Sequence, residues 1–422
     1  MTDGVVELAL VRAGRMGRMH LQALHPAGGR ALGVRVTDVV EPIEASREAL
    51  RDKGYRVHET LADLLAARRP DGVLVAAPTD RHALVSRAAL AAGVPVLCEK
   101  PAGLTWKEVA ETGRVADDHG AALQVAYWRR FVPELVALRE RIAAGELGQV
   151  LHVVCAQWDG APPLAQFRRS SGGAFVDMGV HEFDVVRWLT GQTVTSVAAV
   201  QTPALDPGAH PDADNAQALL GLSAGTTAAV SLGRHYPGGD LVTIEVFGST
   251  GHERSTVLDP DRGDEPMLEA LALQADSFAE LVRGGPRRGA GTAGAVAALR
   301  HAGRAAKALT SPAVIEPGPD WTTPLVQFVD RGVRRFYRRP SIRTFQIPRR
   351  GTWVIAWTRN TGLRHGCGSP WWAADSSARR RTRSRWPTTA TASSSSRSSI
   401  RRRRSGRPWP AGTACPTPWP RW

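Results

Sequence analysis

The chain has 422 residues, of which 43% are hydrophobic and 22% charged, a composition that suits a folded protein of one to three domains. No apolar run reaches the roughly 18 residues of a membrane span. Cys98, Cys155, Cys367 and Cys415 are too scattered for a zinc site or a disulfide framework, which argues for a reducing, cytoplasmic setting. The formal net charge of +14 suggests nucleic acid until it is located. Residues 331–422 hold 22 Arg, no Lys and one acid, Asp375, so the remaining body is net acidic and gives no reason to expect a phosphate backbone as partner.

In chain order, residues 5–11 read as a strand, followed by a glycine turn and a helix from about Met16. Further strands are predicted at 34–37, 72–76, 94–98 and 122–125, with helices at 44–53, 61–67, 82–92 and 106–119. Continuous apolar strands alternating with helices imply a parallel sheet covered on both faces. After residue 125 a helix is expected at 133–145. Strands then predominate at 150–155, 194–200, 216–222, 226–232 and 241–247, interrupted by a helix near 177–189. That pattern predicts a second, α+β domain with a largely antiparallel sheet. Helices at 267–283 and 292–308 close the body. The boundaries expected are 1–125, 126–317 and a tail over 318–422. The tail is rich in Arg, Ser, Pro and Trp, and reads as disordered or as an out-of-frame translation of GC-rich DNA.

Three segments carry chemistry. The first is Arg12-Ala13-Gly14-Arg15-Met16-Gly17, between the first strand and helix. It follows the G-x-G-x-x-G dinucleotide fingerprint, whose glycines let the backbone approach a pyrophosphate at a helix N-terminus. Arg12 stands where the first glycine belongs, and either crowds the dinucleotide or pairs with its phosphates. Asp38 follows the predicted second strand, where an acid would bind ribose hydroxyls and favour NAD over NADP. The second segment is Glu99-Lys100-Pro101, after a parallel strand. With only four lysines against 50 arginines, a lysine here stands out. The third spans residues 171–189. Asp177 and His181 are four apart and would share a helix face, placing a carboxylate beside a base suited to taking an alcohol proton. Spacing alone favours a capping Asp and a core His over a catalytic pair. His181-Glu182 is no zinc motif, because Val185 stands where a second His is required.

Together these segments resemble the Gfo/Idh/MocA oxidoreductases. The match runs over about residues 5–317 and includes Ala77-Pro78-Thr79-Asp80-Arg81-His82, the Glu99-Lys100-Pro101 triplet and the glycine-rich stretch from Gly172 to Gly191. The resemblance implies a Rossmann domain and an α/β domain with an open sheet, through which members commonly form dimers or tetramers. It implies Lys100, Asp177 and His181 as the catalytic group. Arg12, Gly14, Arg15, Met16, Gly17, Asp38, Pro78, His82, Glu99 and Lys100 would hold NAD. Looser matches to the inositol-dehydrogenase branch add Asp159 and Tyr236 as substrate contacts. Arg130 could touch substrate or cofactor, or simply form an ion pair. The activity implied is NAD-dependent oxidation of a ring alcohol of a cyclitol or sugar. The alternative is a non-catalytic NAD- and sugar-binding regulator of the same fold.

Overall fold

The computed structural model describes residues 4–25, 33–202, 204–205 and 212–310. The tail expected from residue 318 lies outside these described residues.

The first half alternates strands and helices. In order they are β1 (Val6–Val11), α1 (Arg15–Ala23), β2 (Val34–Val40), α2 (Glu44–Arg51), β3 (Arg56–His58), α3 (Leu61–Ala67), β4 (Gly72–Val75), α4 (His82–Ala91), β5 (Val96–Glu99), α5 (Trp106–Asp118) and β6 (Leu123–Ala126). The six strands form one parallel sheet in the order β3-β2-β1-β4-β5-β6. That is the doubly wound dinucleotide-binding arrangement. Its central strands are apolar throughout, because helices cover both faces: Leu8, Ala9, Leu10, Val73, Leu74 and Val75 are wholly buried. Local signals set the helix starts. Thr60 and Asp63 form a reciprocal capping box on α3, and the Thr105 hydroxyl accepts from the Glu108 amide at α5.

After α6 (Pro133–Ala143) come β7 (Val150–Trp158), α7 (Ala165–Ser170), α8 (Ala174–Asp177) and α9 (Gly179–Thr190). Then follow β8 (Val194–Thr202), β9 (Asn215–Leu222), β10 (Thr227–Gly233), β11 (Leu241–Gly248) and β12 (His252–Leu258). These five strands and β7 make a mixed sheet ordered β12-β11-β7-β10-β9-β8, antiparallel except where β7 meets β10. Alternate residues of β9 are buried (Ala216, Ala218, Leu220, Leu222), whereas Leu219 is 63% exposed. One face thus packs on the core and the other stays open.

Three elements were not anticipated: β3, β12 and α7. The sequence around each is short, or polar and charged, so the period-2 and period-3.6 signals are weak there. The helix expected near 177–189 is two helices, broken at Met178. The last two helices, α10 (Glu265–Val282) and α11 (Thr292–Thr310), return to the first sheet. Phe278 and Ala275 of α10 are buried in one cluster with Leu8, Leu10, Leu74 and Leu97. Gly72 permits this approach, since a Cβ there would lie 2.9 Å from the Phe278 ring. α11 packs on α5, α9 and β8, and so joins the two sheets. A helix's own periodicity reports that one face is apolar, not which sheet that face covers.

Candidate active site

Ligands bind such sheets at the carboxyl ends of the parallel strands, and the fingerprint turn lies at the end of β1. A Cβ on Gly17 would sit 2.1 Å from the Arg12 carbonyl oxygen, so only glycine lets α1 start against the turn. Gly14 is exposed and its Cβ direction is open. No side chain caps α1 and its first turn holds no acid. The first-turn amides, including those of Arg15 and Met16, therefore remain available as donors. An uncapped, acid-free helix start beside an open glycine fits a dinucleotide pyrophosphate.

The acid at this end differs from the expectation. β2 runs on to Val40, so Asp38 lies inside the strand, opposite Ala9, rather than after it. It is fully buried and bound by Arg56 (3.0 and 3.1 Å) and His58 (3.1 Å), with Arg68 at 3.4 Å. In this structure the Asp38 carboxylate is taken up by these partners. The residue that follows the strand is Glu41. Its carboxylate accepts from the Ala13 amide at 3.1 Å, the Arg12 guanidinium at 2.9 Å and the Ile43 amide at 3.2 Å. Strand propensity is what misled the reading, because Asp is rare in strand interiors. The apolar pair Val39-Val40 was the missed sign that β2 continues.

Arg12 has φ of 77°, a left-handed backbone and the only positive φ among described non-glycine residues. Its backbone thus keeps the conformation that a fingerprint glycine supplies. Its side chain turns to Glu41.

At the end of β5 the chain presents Lys100. Its ammonium donates to the Asp177 carbonyl oxygen at 2.6 Å and lies 3.5 Å from the Asp177 carboxylate. Two left-handed glycines, Gly172 and Gly173, lead into α8 and aim Asp177 back at the lysine. A Cβ on Gly172 would meet Val176 at 2.7 Å. The other Asp177 oxygen accepts from Arg234 at 3.1 Å, and Arg234 also binds Asp212 at 2.8 Å. Arg234, at the end of β10, is completely buried. Sequence reading missed it, since one arginine among 50 carries little signal.

His181 enters from α9 and is 4% exposed. Its ring meets Tyr127 and Trp128 edge-on, at centroid distances of 5.8 and 6.2 Å. Burial, then the charges of Arg129 and Lys100, hold its pKa well below the usual histidine value, so the imidazole is neutral. Its Nδ1 is buried without a partner. The expected Asp177–His181 pair does not form. The helix break at Met178 separates them, and the Asp177 carboxylate is taken by Lys100 and Arg234. Beneath His181 lies a buried ion pair, Arg129–Glu182, which sequence reading also missed; Arg129 additionally donates to Gln157 at 2.7 Å.

Asp159 follows β7, and its amide bonds the Gly233 carbonyl at 2.9 Å. The Tyr236 amide in turn donates to the Asp159 carbonyl, so both expected substrate residues lie together beside Arg234. Burial first, then the charges of Asp177 and Asp240, raise the Asp159 pKa.

Two other expected contacts, His82 and Glu99, are bound within the fold, and Arg130 forms an ion pair. Both His82 ring nitrogens lie 2.7 Å from carbonyl oxygens, of Pro101 and Ala77, so neither is free for a cofactor. Glu99 is buried and bound to His20 of α1 at 2.7 Å. Arg130 forms a two-pronged pair with Asp184 at 2.6 and 2.8 Å. Pro78 is exposed at the end of β4, on the same sheet edge as Lys100.

Comparison with known proteins bears on this arrangement. Residues 6–127 match the family model described as an oxidoreductase family with an NAD-binding Rossmann fold, and residues 135–253 match the Gfo/Idh/MocA C-terminal domain. The rhizopine catabolism protein MocA of Rhizobium meliloti is 44% identical over 72% of this chain and 95% of its own length. An inositol 2-dehydrogenase of Rhizobium meliloti strain 1021 is 33% identical over 58% of this chain and 74% of its own. The crystal structure of scyllo-inositol dehydrogenase from Lactobacillus casei, with bound NAD(H) and scyllo-inositol, shares the fold at a TM-score of 0.65. It is 22% identical and covers 73% of this chain and 97% of that one.

Proposed function

The chain belongs to the Gfo/Idh/MocA oxidoreductase family and carries its NAD-binding Rossmann domain, and from that premise we propose that it oxidises a ring secondary alcohol of an inositol-like cyclitol or sugar to the ketone. The observation that supports this most is Lys100, clamped on Asp177 at the end of β5 next to a buried, neutral His181. NAD, when bound, supplies the hydride acceptor.

In this reading the neutral imidazole of His181 accepts the hydroxyl proton. The Lys100 ammonium donates to the same oxygen and stabilises the negative charge that develops on it. Asp177 orients Lys100, and Arg234 holds the Asp177 carboxylate in place. Asp159 and Tyr236, at the far side of Arg234, present groups to the remaining hydroxyls. Gly14, Arg15, Met16 and Gly17 receive the pyrophosphate, and Glu41 in place of Asp38 receives the adenosine ribose. The Trp128 and Tyr127 rings beside His181 keep water from the proton path. A homo-oligomer, dimer or tetramer, formed through the open face of the second sheet completes the proposal; light scattering checks it.

The test is NADH formation over a panel of inositols, sugars and a rhizopine, since the relatives' names point to different substrates. One or more ring polyols should support turnover. Binding of these compounds without NADH formation from any would overturn the enzymatic reading in favour of a non-catalytic sensor.

A further inference from the structure

The Arg12–Glu41 pair has a consequence for which dinucleotides the protein accepts. In a Rossmann domain the acid after the second strand reads the adenosine ribose in two ways. It accepts hydrogen bonds from the ribose hydroxyls, and its charge repels a 2′-phosphate. Here that acid carries its own cation. The Arg12 guanidinium donates to Glu41 Oε1 at 2.9 Å, where the Ile43 amide also donates, while Oε2 accepts from the Ala13 amide. The Glu41 side chain is 4% exposed and that of Arg12 is 28% exposed. The accessible member of the pair is therefore the arginine.

Two physical effects follow. A guanidinium within hydrogen-bond distance offsets much of the carboxylate's charge, which weakens the repulsion that normally excludes a 2′-phosphate. Arginine also has five N–H donors, and the contact with Glu41 uses one of them. The rest suit a phosphate, with which arginine makes strong charge-assisted bonds. For an unphosphorylated ribose the same side chain is an obstacle, because it lies over the acceptor that the hydroxyls need. The strained backbone is consistent with a side chain held there for a purpose: at this position glycine would be free of the cost of φ 77°.

We propose that Arg12 is a specificity-determining residue that pairs with Glu41 and opens the adenosine-ribose site to a 2′-phosphorylated dinucleotide, so that the protein binds NADP(H) as well as NAD(H). This rests on the reading of Glu41 as the ribose acid.

The experiment measures dissociation constants of NADH and NADPH on the full chain by calorimetry, with no turnover required. The proteins are the wild type, Arg12→Gly, Arg12→Asn and Glu41→Gln. Glycine and asparagine both tolerate a left-handed backbone, which offsets the loss of the Glu41 ion pair, so each variant should melt close to the wild-type temperature. In both Arg12 variants NADPH should weaken by about tenfold or more while NADH is unchanged or tighter. Glu41→Gln should weaken NADH. Measurable NADPH binding by the wild type, lost in the Arg12 variants, supports the proposal. An unchanged ratio of the two constants in the Arg12 variants overturns it, as does a wild type that binds NADH but not NADPH. If Glu41→Gln alters neither constant, the assignment of Glu41 itself has failed. If Glu41→Gln acts but the Arg12 variants do not, only the role of Arg12 has failed.

Discussion

Arginine clamps a carboxylate at both ends of the site, and the two clamps differ in burial. Arg12 holds Glu41 with a side chain 28% exposed, whereas Arg234 holds Asp177 and Asp212 with no exposure at all. An exposed arginine can turn to a competing ligand without drying its own charge, and the Glu41 it leaves, though buried, keeps the Ala13 and Ile43 amides as donors. A buried clamp cannot, since removing either partner strands a charge in a medium that solvates it poorly. In the proposed site the same chemistry thus gives an adjustable contact where the ribose would bind and a fixed scaffold beside the proposed reacting groups.

The largest effect that would test this contrast is on stability. Arg234→Met should cost about 3–5 kcal/mol of unfolding free energy, because it removes the buried cation that Asp177 and Asp212 share and leaves each with one longer ion pair, to Lys100 at 3.5 Å and Arg168 at 3.4 Å. Arg12→Gly should cost less than about 1 kcal/mol or stabilise the fold, since it relieves a left-handed backbone. Urea denaturation of both variants checks the pair. Similar losses in the two would break the distinction.

Next in size are the groups the fixed scaffold serves. His181→Ala and Lys100→Met should each lower kcat by roughly 100-fold or more with the melting temperature retained. The pH profile adds a sign. A base works when deprotonated, and burial beside Arg129 and Lys100 depresses the His181 pKa well below its ordinary value. Activity should therefore hold as pH falls through 6.5, the ordinary histidine value, and decline only well below it. An acid limb centred at or above 6.5 would mean that His181 is not the titrating base.

A third test separates Asp38, inside β2, from Glu41, just after it. Asp38→Asn should leave NADH affinity unchanged while lowering stability by about 1–3 kcal/mol, because Arg56, His58 and Arg68 lose their common partner. A loss of NADH binding without a loss of stability would restore Asp38 as the ribose acid.

These tests also mark how far the sequence could be read. Apolar strands alternating with helices identified the doubly wound sheet, because continuous apolar runs have few other uses. Lys100, Asp177 and His181 were legible as motif residues, and the fold does bring them to one sheet end. Their partners were not. Arg234 reaches Asp177 from a strand 57 residues further on, and nothing local in the chain marks that approach. Asp38 and Glu41 show a different limit. Moving the end of β2 from residue 37 to Val40 changes which acid faces the glycine turn. Strand ends are the least certain feature of a sequence, and binding sites at strand ends inherit that uncertainty.

A smaller effect comes from a place where arginines meet a titratable group without any acid. His301 of α11 is 9% exposed, and its pKa is pushed down to about 4 by burial first and then by Arg187, Arg304 and Arg300. At the clamps arginine binds a carboxylate; here burial, reinforced by three arginines, keeps an imidazole neutral. In the unfolded chain His301 titrates near its ordinary value of about 6.5. The folded pKa is the lower one, so the unfolded state binds the proton more readily between the two values. His301 therefore leaves stability intact above about 6.5 and drains it as pH falls toward 4. Allowing for partial solvent screening, the loss at pH 5 should be on the order of 1 kcal/mol. His301→Gln cannot take up that proton, so its melting temperature should fall less between pH 7 and pH 5 than that of the wild type. Parallel falls in the two proteins would show that the acid sensitivity lies elsewhere, and would remove the contrast between arginines that hold a charge and arginines that expel one.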